Sequence, residues 1–137
     1  MFTQSAYIKK NTQELREKLR DIGCRLLPGL FYSPWLCVIH GLVIPCDAPN
    51  SNDINCGENE DLFLAIAALR DDSDFMQWFI HDDSDWNEEP NIFWYQCKSE
   101  KIEIDLAYNI MHCDCQKATV KELIEHFKDK TNDERGT

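Results

Sequence analysis

Three groups of residues in this 137-residue chain have the types and spacing to carry chemistry. The first is Cys56, in Asn55-Cys56-Gly57, directly ahead of an apolar run. A thiol at a helix start gains from the helix dipole, which lowers its pKa, and from amides able to hold an oxyanion. Cysteine hydrolases use a thiol placed in this way with a histidine from a later strand. His112 would be that histidine here, and Asp114 would orient it. Against this, Glu58, Glu60 and Asp61 crowd the same helix start and oppose thiolate formation, so a half-buried structural thiol is the simpler reading.

The second group is His112-Cys113-Asp114-Cys115 with Cys97 upstream. Zinc takes four nitrogen or sulfur ligands in a tetrahedron, and structural sites usually present paired Cys-x2-4-Cys units. Here there is a single Cys-x-Cys. Cys97, His112, Cys113 and Cys115 close a site only if the segments 92–97 and 107–113 adjoin; otherwise these are reduced thiols filling small apolar spaces.

The third group is a run of carboxylates. Residues 71–89 hold Asp71, Asp72, Asp74, Asp82, Asp83, Asp85, Glu88 and Glu89 and no Lys or Arg. Asp83-Ser84-Asp85-Trp86-Asn87 matches the first five positions of an EF-hand loop, but Glu88 stands where Gly is needed and Trp94 where a bidentate Glu is needed. Carboxylate pairs also serve acid–base hydrolysis, yet no His or Lys pattern accompanies these. The remaining chemistry is recognition. The carboxylates would set the on-rate for a basic surface while Trp78 and Trp86 anchor it. The alternative is a solvated acidic face whose aromatics point into the core.

The charge of the whole chain bears on this choice. Against 14 Lys and Arg stand 25 Asp and Glu, a formal charge of -11. Residues 1–46 are net +3, residues 47–105 are -13 and residues 106–137 are -1. The surplus belongs to the middle. Nucleic acid and anionic membranes are excluded as direct partners, because neutralising phosphates takes clustered cations. The partner implied is a basic protein surface, such as that of a host nucleic-acid-binding protein. No cofactor is called for, and the sequence does not set an oligomeric state. The first ten residues lack a signal peptide's apolar stretch, and the run from Trp35 to Cys46 is too short to span a bilayer. The expectation is a cytoplasmic protein whose seven cysteines are thiols.

These groups need elements to hold them. Asn11-Thr12-Gln13-Glu14, a capping residue with Glu three positions later that can satisfy two orphan amides reciprocally, signals a helix whose apolar face is Leu15, Leu19 and Ile22, closed by Gly23 and entered past Tyr7 and Ile8. Residues 24–46 are short apolar runs broken by Pro and Gly, the pattern of an antiparallel meander, and 47–57 read as an exposed loop. Leu62 to Leu69 is apolar on all sides and predicts a central helix. Ser73 predicts the cap of a third helix over 74–81, segments 92–96 and 102–108 have strand character, and Thr119-Val120-Lys121-Glu122 opens a last helix. The expected fold is α+β, a small antiparallel sheet packed by about four helices in a single domain over 1–130, with 131–137 a frayed polar tail.

Three stretches carry a resemblance: Tyr7 to Leu19, Asn59 to Asp72 and Lys117 to Phe127, 38 residues in all. They resemble small uncharacterised proteins encoded by prophages and conjugative elements of gut bacteria. All three are helix starts and cores, so the resemblance implies genetic context and transfers no site residue. What it implies is an accessory interaction protein or inhibitor rather than a housekeeping enzyme.

Overall fold

The structure is a computed structural model and describes residues 1–29, 32–46, 52–82, 92–97 and 115–136. Three helices stand among them. In α1 (Gln13–Ile22), the Thr12 hydroxyl accepts from the Leu15 amide at 3.1 Å, and Gly23 ends the helix in left-handed backbone at φ 114°. Helix α2 (Glu60–Ala67) is capped by Asn59, which accepts from the Leu62 amide at 3.1 Å. Helix α3 (Val120–Gly136) opens with a reciprocal box. The Thr119 amide donates to Glu122 Oε1 at 2.9 Å, and the Glu122 amide donates to Thr119 Oγ1 at 3.2 Å.

The strands β1 (Ser5–Ile8), β2 (Arg25–Leu26), β3 (Trp35–Ile39), β4 (Leu42–Cys46) and β5 (Ile54–Asn55) form one sheet in the order β2-β4-β3-β1-β5. Strands β6 (Trp78–Asp82), β7 (Ile92–Gln96) and β8 (Cys115–Lys117) form a second, antiparallel sheet in the order β7-β6-β8. The α+β class is as expected, but three readings are corrected. The first sheet is mixed, because β5 joins β1 and β2 joins β4 in parallel. Tyr7 and Ile8 do not staple α1: they belong to β1, which pairs with β3 on one side and with part of the expected loop on the other.

The third correction concerns 74–81, where β6 stands in place of a helix. The Ser73 hydroxyl accepts from the Phe75 amide, only two residues on, as in a turn. Met76 then takes φ 67°, a left-handed conformation that no helix continues through. Beyond it the chain is extended, with Phe79 and Ile80 buried and Ile80 registered on Trp94.

One core joins the two sheets through α2. Leu62, Phe63, Ala65, Ile66 and Ala67 are buried, packed with Ala6 and Ile8 of β1, Leu15 and Leu19 of α1, Ile80 of β6, and Leu123 and Phe127 of α3. In the first sheet, registered neighbours Ala6, Val38 and Val43 form one buried row.

The N-terminal segment locks this arrangement. Phe2 bridges to Arg70, whose guanidinium lies 4.3 Å from the Phe2 ring centroid, and the Thr3 amide donates to the Leu69 carbonyl at 3.0 Å. The ring also lies over the His40-Gly41 turn of the β3–β4 hairpin, where both residues have positive φ, 51° and 86°. A Cβ on Gly41 would meet the Phe2 ring at 2.2 Å. Gly41→Ala is therefore expected to lower unfolding stability by about 3 kcal/mol, from overpacking and backbone strain together. In a Phe2→Ala background the same change should cost only about 1 kcal/mol, the backbone part, and denaturant melts of the four proteins check this.

Candidate functional site

Among the described residues, the acidic run begins as a self-paired loop. Arg70 grips Asp72 with two parallel bonds, Nε to Oδ1 at 2.6 Å and Nη2 to Oδ2 at 3.0 Å. The amine of Met1 pairs with Asp71 at 2.9 Å and also with Asp72, and Lys117 on β8 pairs with Asp74 at 3.3 Å. The Arg70 bonds, and then the amine, hold the Asp72 carboxyl well below its ordinary range. The amine also lowers the pKa of Asp71.

Gln77 shapes this loop from beneath. Its side chain is fully buried, and Nε2 donates to the carbonyls of Arg70 at 2.7 Å and Ser73 at 2.6 Å. Gln77 Oε1 is buried without a hydrogen-bond partner among the described residues. The loop borders an open, mostly polar hollow of about 610 Å³, with Phe75 and Cys97 on its wall. Sequence reasoning missed Arg70, Gln77 and Lys117 as the organisers of the loop. The one signal available was Arg70 standing directly before Asp71 and Asp72.

Trp78, proposed from sequence as an anchor, is half-buried and committed to the interior. Its ring lies 5.6 Å from Phe127 and 6.4 Å from Trp94, both at edge-to-face angles. His126 stacks on Trp94 at 3.9 Å with planes 17° apart, so this histidine is an aromatic partner of the core's edge. Asp82 ends β6. Asp83, Asp85, Trp86, Glu88 and Glu89 lie outside the described residues, as does the segment 102–108.

The thiols are placed less favourably for chemistry than their spacing suggests. Cys56 precedes the cap of α2 by three residues and directly follows β5, where its amide donates to the Tyr7 carbonyl at 2.9 Å. Its Sγ lies 3.9 Å from the Ile54 carbonyl within the core, and burial pushes its pKa up to about 12. The helix dipole does not activate it. His112, Cys113 and Asp114 lie outside the described residues.

Cys97 and Cys115 are not neighbours. Cys97 is buried, and its amide donates to the Gln77 carbonyl at the start of β6, whereas Cys115 pairs with His81 near the end of that strand, from its other side. Two strand spacings across and four residues along separate their Cα atoms by about 16 Å, too far to share a zinc ion. Among the described residues no group of three or more His, Cys, Asp or Glu side chains can hold a metal, and no helix is long and apolar enough to cross a membrane. No protein family, curated protein or solved structure matches this chain.

Burial also pushes the Cys24 thiol up to about 12. A raised native pKa means that the folded state holds its proton more tightly. The stabilisation is complete below the unfolded thiol value near 9 and is lost as pH rises towards 12. Denaturant melts of Cys56→Ala and the parent should therefore differ by a gap that changes by about 1.4 kcal/mol per pH unit between 9 and 12. At neutral pH, iodoacetamide is expected to label Cys56 no faster than the core opens.

Proposed function

We propose that this protein is a non-enzymatic interaction module that captures a basic protein surface through its acidic, aromatic segment 71–89, with Asp82, Asp83, Asp85, Trp86, Glu88 and Glu89 as the contact residues. The observation that supports this reading is the pairing within the loop. Asp71, Asp72 and Asp74 already have cations of their own chain. Fourteen Lys and Arg cannot neutralise 25 carboxylates, and residues 82–89 hold five of them with no cation. Carboxylates kept together against their mutual repulsion are a cost to the fold that a partner's cations would relieve.

The role that suits such a surface is an inhibitor or nucleic-acid mimic, presenting carboxylates to a channel built for phosphates, in the cytoplasm of a cell carrying a phage or mobile element. The first three acids then serve to hold the segment's base in place, and Trp78 joins it to the core.

Location separates this reading from general acidity. Protein immobilised at low salt should retain its partner from a lysate of the native host, and Asp82, Asp83 and Asp85 together changed to Lys should lose it. Changing the exposed Asp21, Glu58 and Glu125 to Lys alters net charge equally and should leave capture intact. Equal loss in both triple variants, or retention in both at high salt, contradicts the assignment.

A further inference from the structure

The two faces of the first sheet carry different residues. Leu36, Val38 and Val43 look into the core, and the residues that alternate with them on β3 and β4 look the other way. That reverse face carries Cys37 and Cys46, both buried, both free thiols and neither part of the core clusters. We infer that these two cysteines form a two-coordinate site for a thiophilic monovalent cation, copper(I), held between their sulfurs. The site is independent of the acidic segment.

Register brings the pair together. Cys37 stands opposite Ile44 on the β3–β4 ladder and Cys46 opposite Trp35, so the cysteines share one face of neighbouring strands, offset by two residues. Such diagonal partners lie about 7–8 Å apart at Cα, beyond the ~7 Å reach of a disulfide but within reach of each other's side chains. An ion between two sulfurs spans the longer gap, with metal–sulfur bonds of about 2.3 Å on each side. The two thiols do interact: after burial, the Cys46 side chain is the next cause that raises the Cys37 pKa. The Ser33 hydroxyl fixes the register at this end. It accepts from the amides of Trp35 and Cys46, both at 3.2 Å, and donates to the Trp35 carbonyl at 2.6 Å.

Donor number and softness select the ion. Zinc asks for four ligands, and among the described residues no third His, Cys, Asp or Glu completes such a group. Copper(I) is satisfied by two thiolates, and thiolate sulfur prefers it to hard cations. Tyr7 is registered on Cys37 from β1, and its ring lies 5.8 Å from that of Trp35, opposite Cys46. These half-buried aromatics and Ile44 give the sulfurs an apolar border, which favours a soft ion over a hydrated one. Binding exchanges two thiol protons, released to solvent, for one cation, with no change of oxidation state. In the free protein burial, the Cys46 thiol and then Asp53 oppose ionisation of Cys37, so the ion itself must supply the charge that stabilises the dithiolate. The other described buried thiols stand elsewhere, Cys24 and Cys56 in the main core and Cys97 beside Phe79.

Anaerobic titration with copper(I) against a colorimetric copper(I) chelator tests this in the full chain carrying Cys113→Ser and Cys115→Ser, which removes the competing Cys-x-Cys pair. One copper(I) per chain is expected to bind. Cys37→Ala or Cys46→Ala added to that protein should each lose it, whereas Cys24→Ala and Cys56→Ala should keep it. Circular dichroism checks that each variant folds. X-ray absorption of the copper-loaded Cys113→Ser, Cys115→Ser protein gives a second readout that needs no buried substitution in the sheet, and two sulfur neighbours without nitrogen or oxygen are expected. Loss of binding once Cys113 and Cys115 are changed, retention of copper by Cys37→Ala, or nitrogen or oxygen donors on the metal overturns the proposal.

Discussion

Helix α2 has almost no side that water can reach, and this constraint organises the rest of the molecule. Its Phe63 and Ile66 are fully buried, and the chain continues buried through Ala68 and Leu69. A helix apolar all round must be enclosed by several elements, which is why β1, α1 and α3 all pack on it and why two small sheets share one core. Its start is fixed by polar ties to α3 and to the α1 region. Asn59 caps it and donates from Nδ2 to the Phe127 carbonyl of α3 at 3.3 Å. Glu60 draws in Lys18 of α1 at 2.8 Å and Lys10, just ahead of α1, at 3.3 Å. The Lys18 bond is the largest cause holding the Glu60 carboxyl below its ordinary range.

From that enclosure the electrostatics divide into two kinds. Where carboxylates meet the body of the fold they are matched: Glu60 by lysines, Asp72 by the Arg70 fork, Asp74 by Lys117. The Glu60 and Asp74 pairs tie segments distant in sequence, whereas the Arg70 fork holds an acid two residues on. The acids that follow β6 come from a stretch that supplies no cation. The contrast between matched acids at the base and a cation-free stretch of sequence beyond is what the functional reading rests on.

The helices were legible because capping is local. The Asn11–Glu14 stretch, the Thr119–Glu122 box and the acidic entry to the apolar run around Leu62 are all written within four residues of the ends they set, although Thr12 and not Asn11 supplies the cap of α1. The strands were less so. Tyr7 and Ile8 suit a staple or a strand equally, and only pairing with β3 and β5, residues 36–39 and 54–55, decides between them. The turn at Ser73 imitates a helix cap, and the left-handed Met76 that breaks the pattern has no signature in side-chain type. The same division runs through the site. The acidic segment was visible as composition, whereas the self-pairing of Asp71, Asp72 and Asp74 depends on Met1 and Lys117, far away in the chain. For Cys56, spacing suggested an activated thiol, but the strand end that buries it forms only with β1 in place.

The central claim is that the acids beyond β6 serve a partner and not the fold. Thermal melting at low salt tests it most directly, comparing the parent with a variant carrying Asp83→Asn, Asp85→Asn, Glu88→Gln and Glu89→Gln. If these carboxylates only repel one another in the free protein, the neutralised variant melts at the same temperature or higher, and added salt narrows the gap. A variant that melts clearly lower would mean that the carboxylates are tied into the fold itself, and would contradict the account.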